Sequence, residues 1–104
     1  MNVVTHDRYG AVPQRVQDEV AVRVAERTRH LSLIDEAEVE FDQEARRSQQ
    51  PLQVVVITLR PHARRLSSIR TRQTGYRLEE TVDLALHTID REIDRLKDQL
   101  KAHP

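Results

Sequence analysis

Several residue types that mark particular protein classes are absent from this sequence or nearly so. The 104 residues include no cysteine and no tryptophan, one phenylalanine, two tyrosines and two glycines. Without cysteine, we expect neither a disulfide-stabilised secreted mini-protein nor a zinc module built on thiolates. The isolated Gly10 and Gly75 cannot form a glycine-rich phosphate loop.

Long apolar runs are missing as well. No stretch approaches the roughly 20 apolar residues of a membrane span, and the N-terminus MNVVTHDRYG lacks the apolar core of a signal peptide. The five histidines do not have the spacing of metal ligands, and no Ser/His/Asp catalytic arrangement can be identified in the sequence. We therefore expect a cytoplasmic, non-enzymatic protein with no cofactor, no metal site, no small-molecule substrate and no membrane partner.

The apolar content that remains is sufficient for one folded domain. Leu, Ile, Val and Phe make up 28 of the 104 residues, which argues against disorder. A chain of this length buries roughly 60–70% of its unfolded surface. We expect a single domain over residues 1–104.

The first half predicts a strand, a helix and a second strand. NVVTH is rich in β-branched residues, and Pro13 suits the first turn of a helix. The next segment, 13–31, is ambiguous because Val20, Val22 and Val24 alternate as in a strand. Its length and its Gln, Arg, Glu and Ala content favour a helix. IDEAEVEFDQEA then alternates apolar and acidic residues, as a half-buried strand does.

The second half predicts two strands and a long helix. PLQVVVITLRP is a β-branched run that indicates a central strand, and the alternation in RRLSSIRTRQTG predicts a fourth strand hairpinned to it. A helix is expected from about Leu78 to Lys101. Its apolar residues step by four and three and form a seam: Val82, Leu86, Ile89, Ile93, Leu96 and Leu100. The order β-α-β-β-β-α predicts an α+β two-layer sandwich, with a four-stranded sheet and two helices packed on one face.

Charge is unevenly distributed along this formally neutral chain. Residues 1–45 contain five arginines and ten acids, residues 46–77 contain eight arginines and no acid, and residues 78–104 contain four basic residues and seven acids. The basic block indicates a surface that faces a polyanion. Equally, it can neutralise the acidic strand beside it, and the sequence leaves both interpretations open.

Two stretches resemble the family of ribosome hibernation-promoting factors, also called ribosome-associated inhibitors. RVAERTRHLSLIDEAEVEF is similar, without a gap, to the family pattern Lys-Leu-x-Lys-Leu-x-Arg-Tyr-Phe followed by Ile-x-Glu-Ala-x-Val, with Arg23 in the first Lys place. TVDLALHTIDREIDRLK is similar to Ala-Ile-Asp-x-x-x-x-Lys-Leu-x-Arg-Gln-Leu-x-Lys-x-Lys. The chain departs from these patterns at Glu26, Thr88 and Glu92, and each departure removes positive charge or adds negative charge.

The resemblance implies the same β-α-β-β-β-α fold and a partner, the small ribosomal subunit with its 16S-type rRNA. It implies binding in the channel for messenger and transfer RNA, which silences idle ribosomes, and no catalysis. We expect a monomer, with weak self-association as an alternative. The departures suggest that RNA is bound less by the helices and more by the hairpin of the third and fourth strands. The candidate rRNA-binding residues are Arg23, Arg91, Arg95, Lys97, Lys101, Arg64, Arg65, Arg70 and Arg72.

Two structural interpretations compete for these cations. The end of the long helix should extend beyond the sheet and present Arg95, Lys97 and Lys101 to a partner. Alternatively, it is a solvated end with Glu92–Arg95, Asp94–Lys97 and Asp98–Lys101 ion pairs. Arg70 and Arg72 either bind phosphate or pair with strand acids. Direct pairing with Glu38 and Glu40 is doubtful because the third strand lies between.

Two other functions remain open. In one, the heptad-patterned C-terminal helix dimerises as a coiled coil in a protein–protein interaction module. In the other, the chain is a general RNA-binding domain that never meets a ribosome.

Overall fold

The order of helices and strands is the predicted one. The computed structural model describes residues 2–29, 31, 33–47, 49–62 and 66–102, the side chains of residues 100–102 excepted. The elements are β1 (Asn2–Asp7), α1 (Gln14–Thr28), β2 (Ile34–Arg46), β3 (Gln49–Pro61), β4 (Ile69–Gly75) and α2 (Leu78–Ala102). The α+β fold class is confirmed.

The four strands form one sheet in the order β1-β2-β3-β4. β1 pairs with β2 in parallel, through the α1 crossover, and β2, β3 and β4 form the antiparallel meander expected from the sequence. In this register Val39 lies between Thr5 and Ile57, and Ile57 in turn lies opposite Thr71. Side chains in one row therefore point to the same face of the sheet.

The alternation in β2 and β3 places their apolar residues on the face that both helices cover. Phe41 and Val39 of β2 are at most 1% exposed, and Ile57 and Leu59 of β3 are fully buried. These side chains form one core with residues from both helices. The opposite face of the sheet, here called the outer face, carries the acidic residues of β2.

Helix α1 resolves the ambiguity between strand and helix in favour of the helix. Val20 and Val24 lie in the core at 3% and 0% exposure, whereas Val22 points outward at 56%. A strand would have placed all three valines on one face. The helix ends at Thr28, earlier than expected, where the Thr28 hydroxyl donates a hydrogen bond back to the Val24 carbonyl at 3.0 Å.

The seam of α2 packs on β3 and β4. The exposure of its described residues is 2% at Val82, 1% at Leu86, 0% at Ile89, 4% at Ile93 and 9% at Leu96. A coiled coil would need the same seam to face a second helix. Because the chain's own sheet covers it, the seam is not available for such a contact. Neither described helix has a stretch long and apolar enough to cross a membrane.

Asp7 organises the turn between β1 and α1. Its carboxylate accepts hydrogen bonds from the backbone N–H groups of Tyr9, Gly10 and Val12 at 3.2, 2.9 and 2.8 Å. Gly10 has φ 76°, a conformation that glycine adopts without strain. Slight burial opposes ionisation of Asp7, but these hydrogen bonds outweigh it and lower the pKa of the carboxyl.

Truncation of the seam should cost far more stability than truncation beside it. Leu86→Ala removes a side chain that is 1% exposed, whereas Leu84→Ala makes the same change on the same helix at 46% exposure. We expect Leu86→Ala to lower the free energy of unfolding by about 3 kcal/mol, because it leaves a cavity. Leu84→Ala should change it by less than about 0.5 kcal/mol. Urea unfolding measures both, and equal losses would contradict the packing described.

Asp7 should make stability depend on pH in the acid range. Since the folded-state pKa is lowered, the stabilisation is fully present above the ordinary Asp pKa of about 3.9 and is lost as the pH falls through the folded value. Asp7→Ala should cost about 1–2 kcal/mol at neutral pH. In urea titrations at a series of pH values, the gap between wild type and variant should close towards low pH. A gap that persists unchanged in strong acid would show that ionisation is not involved.

Candidate functional site

The predicted cations of β4 and α2 meet at one end of the molecule, here called the basic end, formed by the start of β4 and the last turns of α2. Residues 66–70 and the 92–99 stretch of α2 line a common groove of about 540 Å³. Arg70 and Arg95 both border this groove, together with Glu92. The antiparallel course of β4 and α2 brings together residues that are 25 positions apart in the chain.

The α2 cations differ in their surroundings. Arg91 and Lys97 are exposed, and neither forms an ion pair with any residue in the described part of the chain. Arg95 lies with one guanidinium nitrogen 3.4 Å from a Glu92 carboxylate oxygen, and its side chain is 69% exposed. The expected Glu92–Arg95 pair therefore forms, but at such exposure it contributes little stability. The expected Asp94–Lys97 pair does not form, and the Asp98–Lys101 pair lies outside the described side chains.

The projecting part of α2 begins later than expected. Leu96 is still 9% exposed and borders the groove beside residues 66–70. Arg95 therefore lies over the segment that leads into β4, not beyond the sheet. Lys97 is the first candidate cation past the last buried residue among the described side chains. Lys101 was expected to project with it, but its side chain lies outside the described part of the structure, as do Arg64 and Arg65.

The arginines of β4 lie on the outer face, and one of them pairs across β3. A guanidinium nitrogen of Arg72 is 3.0 Å from a Glu44 carboxylate oxygen, although β3 separates their strands. Pairing of Arg70 and Arg72 with Glu38 and Glu40 was doubted, and none of these pairs forms. Arg72 pairs with a different strand acid, Glu44, because two long side chains reach over the intervening strand. Arg70 makes no ion pair with a described residue.

The acidic column of β2 is largely neutralised by arginines of its own face. Arg60 lies 2.9 Å from Glu38, and Arg8 lies 3.4 Å from Glu40. The pKa of the Glu38 carboxyl is lowered, first by a hydrogen bond with the Glu40 carboxyl and then by Arg60, against the opposing effect of burial. Part of the basic block therefore neutralises the acidic strand, as one of the two interpretations proposed.

The candidate cation of α1 is paired with α2. A guanidinium nitrogen of Arg23 lies 2.7 Å from an Asp83 carboxylate oxygen, and Arg27 Nε lies 3.1 Å from Asp90 Oδ1. Arg27 also donates a hydrogen bond to the Arg23 carbonyl at 3.1 Å. Neither Asp83 nor Asp90 was predicted from the sequence. The two aspartates are seven residues apart on α2 and the two arginines are four apart on α1, and this spacing is the only sign of the contact in the sequence.

The site offers exposed positive charge. Among the described residues, no group of three or more His, Asp or Glu side chains is placed to hold a metal ion. The unpaired guanidinium and ammonium groups at the basic end are exposed donors, suited to phosphate oxygens. This arrangement supports electrostatic binding of a polyanion.

Comparison with known proteins gives a consistent result. The family described as "Sigma 54 modulation protein / S30EA ribosomal protein" matches residues 4–101. A ribosomal subunit interface protein from Coxiella burnetii has a similar structure, with a TM-score of 0.74 and 12% identity over 94% of this chain and 99% of that one. The N-terminal domain of Thermus thermophilus Protein Y has a TM-score of 0.63 and 15% identity over 92% of this chain and 99% of that one. No curated protein sequence gives a significant match.

Proposed function

Because this chain belongs to the sigma 54 modulation protein / S30EA ribosomal protein family, we propose that it is a ribosome-binding factor of the hibernation type. Its partner is the small ribosomal subunit, and its place of action is the cytoplasm. The observation that carries this proposal is the extent of the family match, residues 4–101, which spans most of β1, nearly all of α2 and every helix and strand between them. The same fold occurs in a ribosomal subunit interface protein.

The mechanism is steric. The chain occupies the channel for messenger and transfer RNA in the small subunit and so silences translation in idle or stressed cells. It acts as a monomer and without catalysis. The elongated molecule, 54 × 24 × 21 Å along its principal axes, presents cations along its surface to rRNA phosphates. The residues proposed to hold these phosphates are Arg64, Arg65, Arg70, Arg91, Arg95, Lys97 and Lys101. Arg23 and Arg72, which the sequence also suggested, already pair with Asp83 and Glu44.

The burial of the α2 seam argues against the alternative of a helix-mediated dimer. Ile89 and Ile93, which a coiled coil would need at its interface, are 0% and 4% exposed within the monomer. Exposing them to a partner helix would open the core. The charged surface is therefore the better candidate for function than the apolar seam.

Co-sedimentation with small ribosomal subunits across a salt series tests the proposal. We expect saturable binding whose affinity falls steeply with salt, because each phosphate contact releases counterions; the slope of log affinity against log salt is roughly −0.7 to −0.9 per contact. Absence of binding at low salt would overturn the proposal. Equal affinity for naked RNA of unrelated sequence would favour a general RNA-binding domain instead.

Charge reversal on α2 should remove much of this binding. The triple variant Arg91→Glu/Arg95→Glu/Lys97→Glu replaces three exposed cations with anions near the basic end. We expect at least a tenfold loss of affinity at about 0.1 M salt, from the lost contacts and the added repulsion.

A matched control is available at the opposite end. Arg15→Glu/Arg47→Glu/Arg77→Glu makes the same charge change on exposed residues near the starts of α1 and α2 and the end of β2. It should weaken binding much less. If both triple variants lose affinity equally, overall charge governs binding and the residue assignment is wrong.

A further inference from the structure

Two ion pairs connect α1 and α2 on the side of the helices that faces away from the sheet. Arg23 meets Asp83 at 2.7 Å, and Arg27 meets Asp90 at 3.1 Å; these two contacts are here called the interhelical pairs. The Arg23 and Asp83 side chains are 42% and 63% exposed, so this pair lies where a partner can reach it. The Arg27 and Asp90 side chains are 27% and 47% exposed, and Arg27 Nε itself is buried. The arginines are therefore surface groups that already have anionic partners.

The charge around these pairs also disfavours the approach of a phosphate. Helix α1 carries three arginines and three acids over residues 14–28, and α2 carries four basic residues and seven acids over residues 78–102. The helix layer as a whole is thus net negative. A phosphate that approaches Arg23 or Arg27 meets Asp83 and Asp90 beside them, and like charges repel it.

The cations of the basic end differ in ion pairing, although acids lie near them as well: Glu92 lines the groove with Arg95, and Glu40, Asp42 and Glu44 line a second pocket with Arg70. Arg70, Arg91 and Lys97 are exposed and form no ion pair within the described residues. A phosphate that binds there gains charge-assisted hydrogen bonds without breaking an existing pair. At the interhelical pairs, the phosphate must replace a carboxylate that already neutralises the guanidinium. The net gain in binding is therefore small.

We propose that Asp83 and Asp90 act as internal competitors of RNA phosphates for Arg23 and Arg27, so that the basic end makes the phosphate contacts. This inference rests on the proposed function and deepens it by assigning the RNA-facing surface of this chain. It also assigns a role to the two aspartates: they keep Arg23 and Arg27 from binding RNA phosphates.

Neutralising the competitors should create new phosphate contacts. In Asp83→Asn/Asp90→Asn, two nearly isosteric changes release Arg23 and Arg27. With small ribosomal subunits, we expect tighter binding at low salt. Two added contacts steepen the salt dependence, so that between about 50 and 200 mM salt the affinity falls roughly tenfold more than that of wild type.

The control is Asp94→Asn/Asp98→Asn, which makes the same charge change on α2 at exposed aspartates that form no ion pair with a described residue. It should leave the salt slope close to that of wild type. If the variant at Asp83 and Asp90 matches this control, or binds more weakly than wild type, the proposal is overturned. Weaker binding would show that the aspartates position the arginines for RNA.

A second pair of variants tests the same assignment without the aspartates. Arg23→Gln/Arg27→Gln should bind subunits within about twofold of wild type, whereas Arg70→Gln/Arg91→Gln should bind several-fold more weakly, with a shallower salt slope. Equal losses, or a larger loss at Arg23 and Arg27, would refute the proposal. Urea midpoints for each variant confirm that the fold is intact. Failure of wild type itself to bind would instead reject the ribosomal function.

Discussion

Burial of the α2 seam on the sheet is the interaction on which the rest of the structure depends. A sheet with an apolar face must cover that face, and here α2 supplies Leu86, Ile89 and Ile93 against β3 and β4 while α1 covers the neighbouring part. Each fully buried side chain of this size contributes roughly 1.5–3 kcal/mol. Because the seam is used in this way, the charged side chains of α2 that the structure describes are directed away from the core, and the helix cannot also form a coiled coil.

The charges that result are sorted into two environments. On the outer face of the sheet and between the helices, arginines meet carboxylates, as at Arg60–Glu38 and Arg23–Asp83. At the basic end, Arg95 lies 3.4 Å from Glu92, whereas Arg70 of the same groove and Arg91 and Lys97 of α2 form no ion pair with a described residue. Exposed pairs stabilise a protein only slightly, so their main effect is on binding: they determine which arginines are free to meet a polyanion. The neutral total charge of the chain hides this division.

The sequence predicted the fold well because periodicity reports burial directly. The alternation around Phe41 and the four-and-three spacing around Ile89 each specify one face, and the structure buries those faces. Strand register and the facing of α1 against α2 were not predictable, because they depend on packing between distant segments. For that reason the Arg23–Asp83 contact, 60 residues apart, was missed, and the strand acid that pairs with Arg72 across β3, Glu44, was not identified. Linear charge counts located the basic block but could not show which of its members were already paired.

The most direct test is chemical footprinting of the rRNA in small subunits, with and without a saturating concentration of this protein. If the chain fills the channel for messenger and transfer RNA, the protected nucleotides line that channel, and the Arg91→Glu/Arg95→Glu/Lys97→Glu variant abolishes the protection at the same concentration. Protection confined to the outer surface of the subunit, or a footprint unaffected by the variant, would contradict the account.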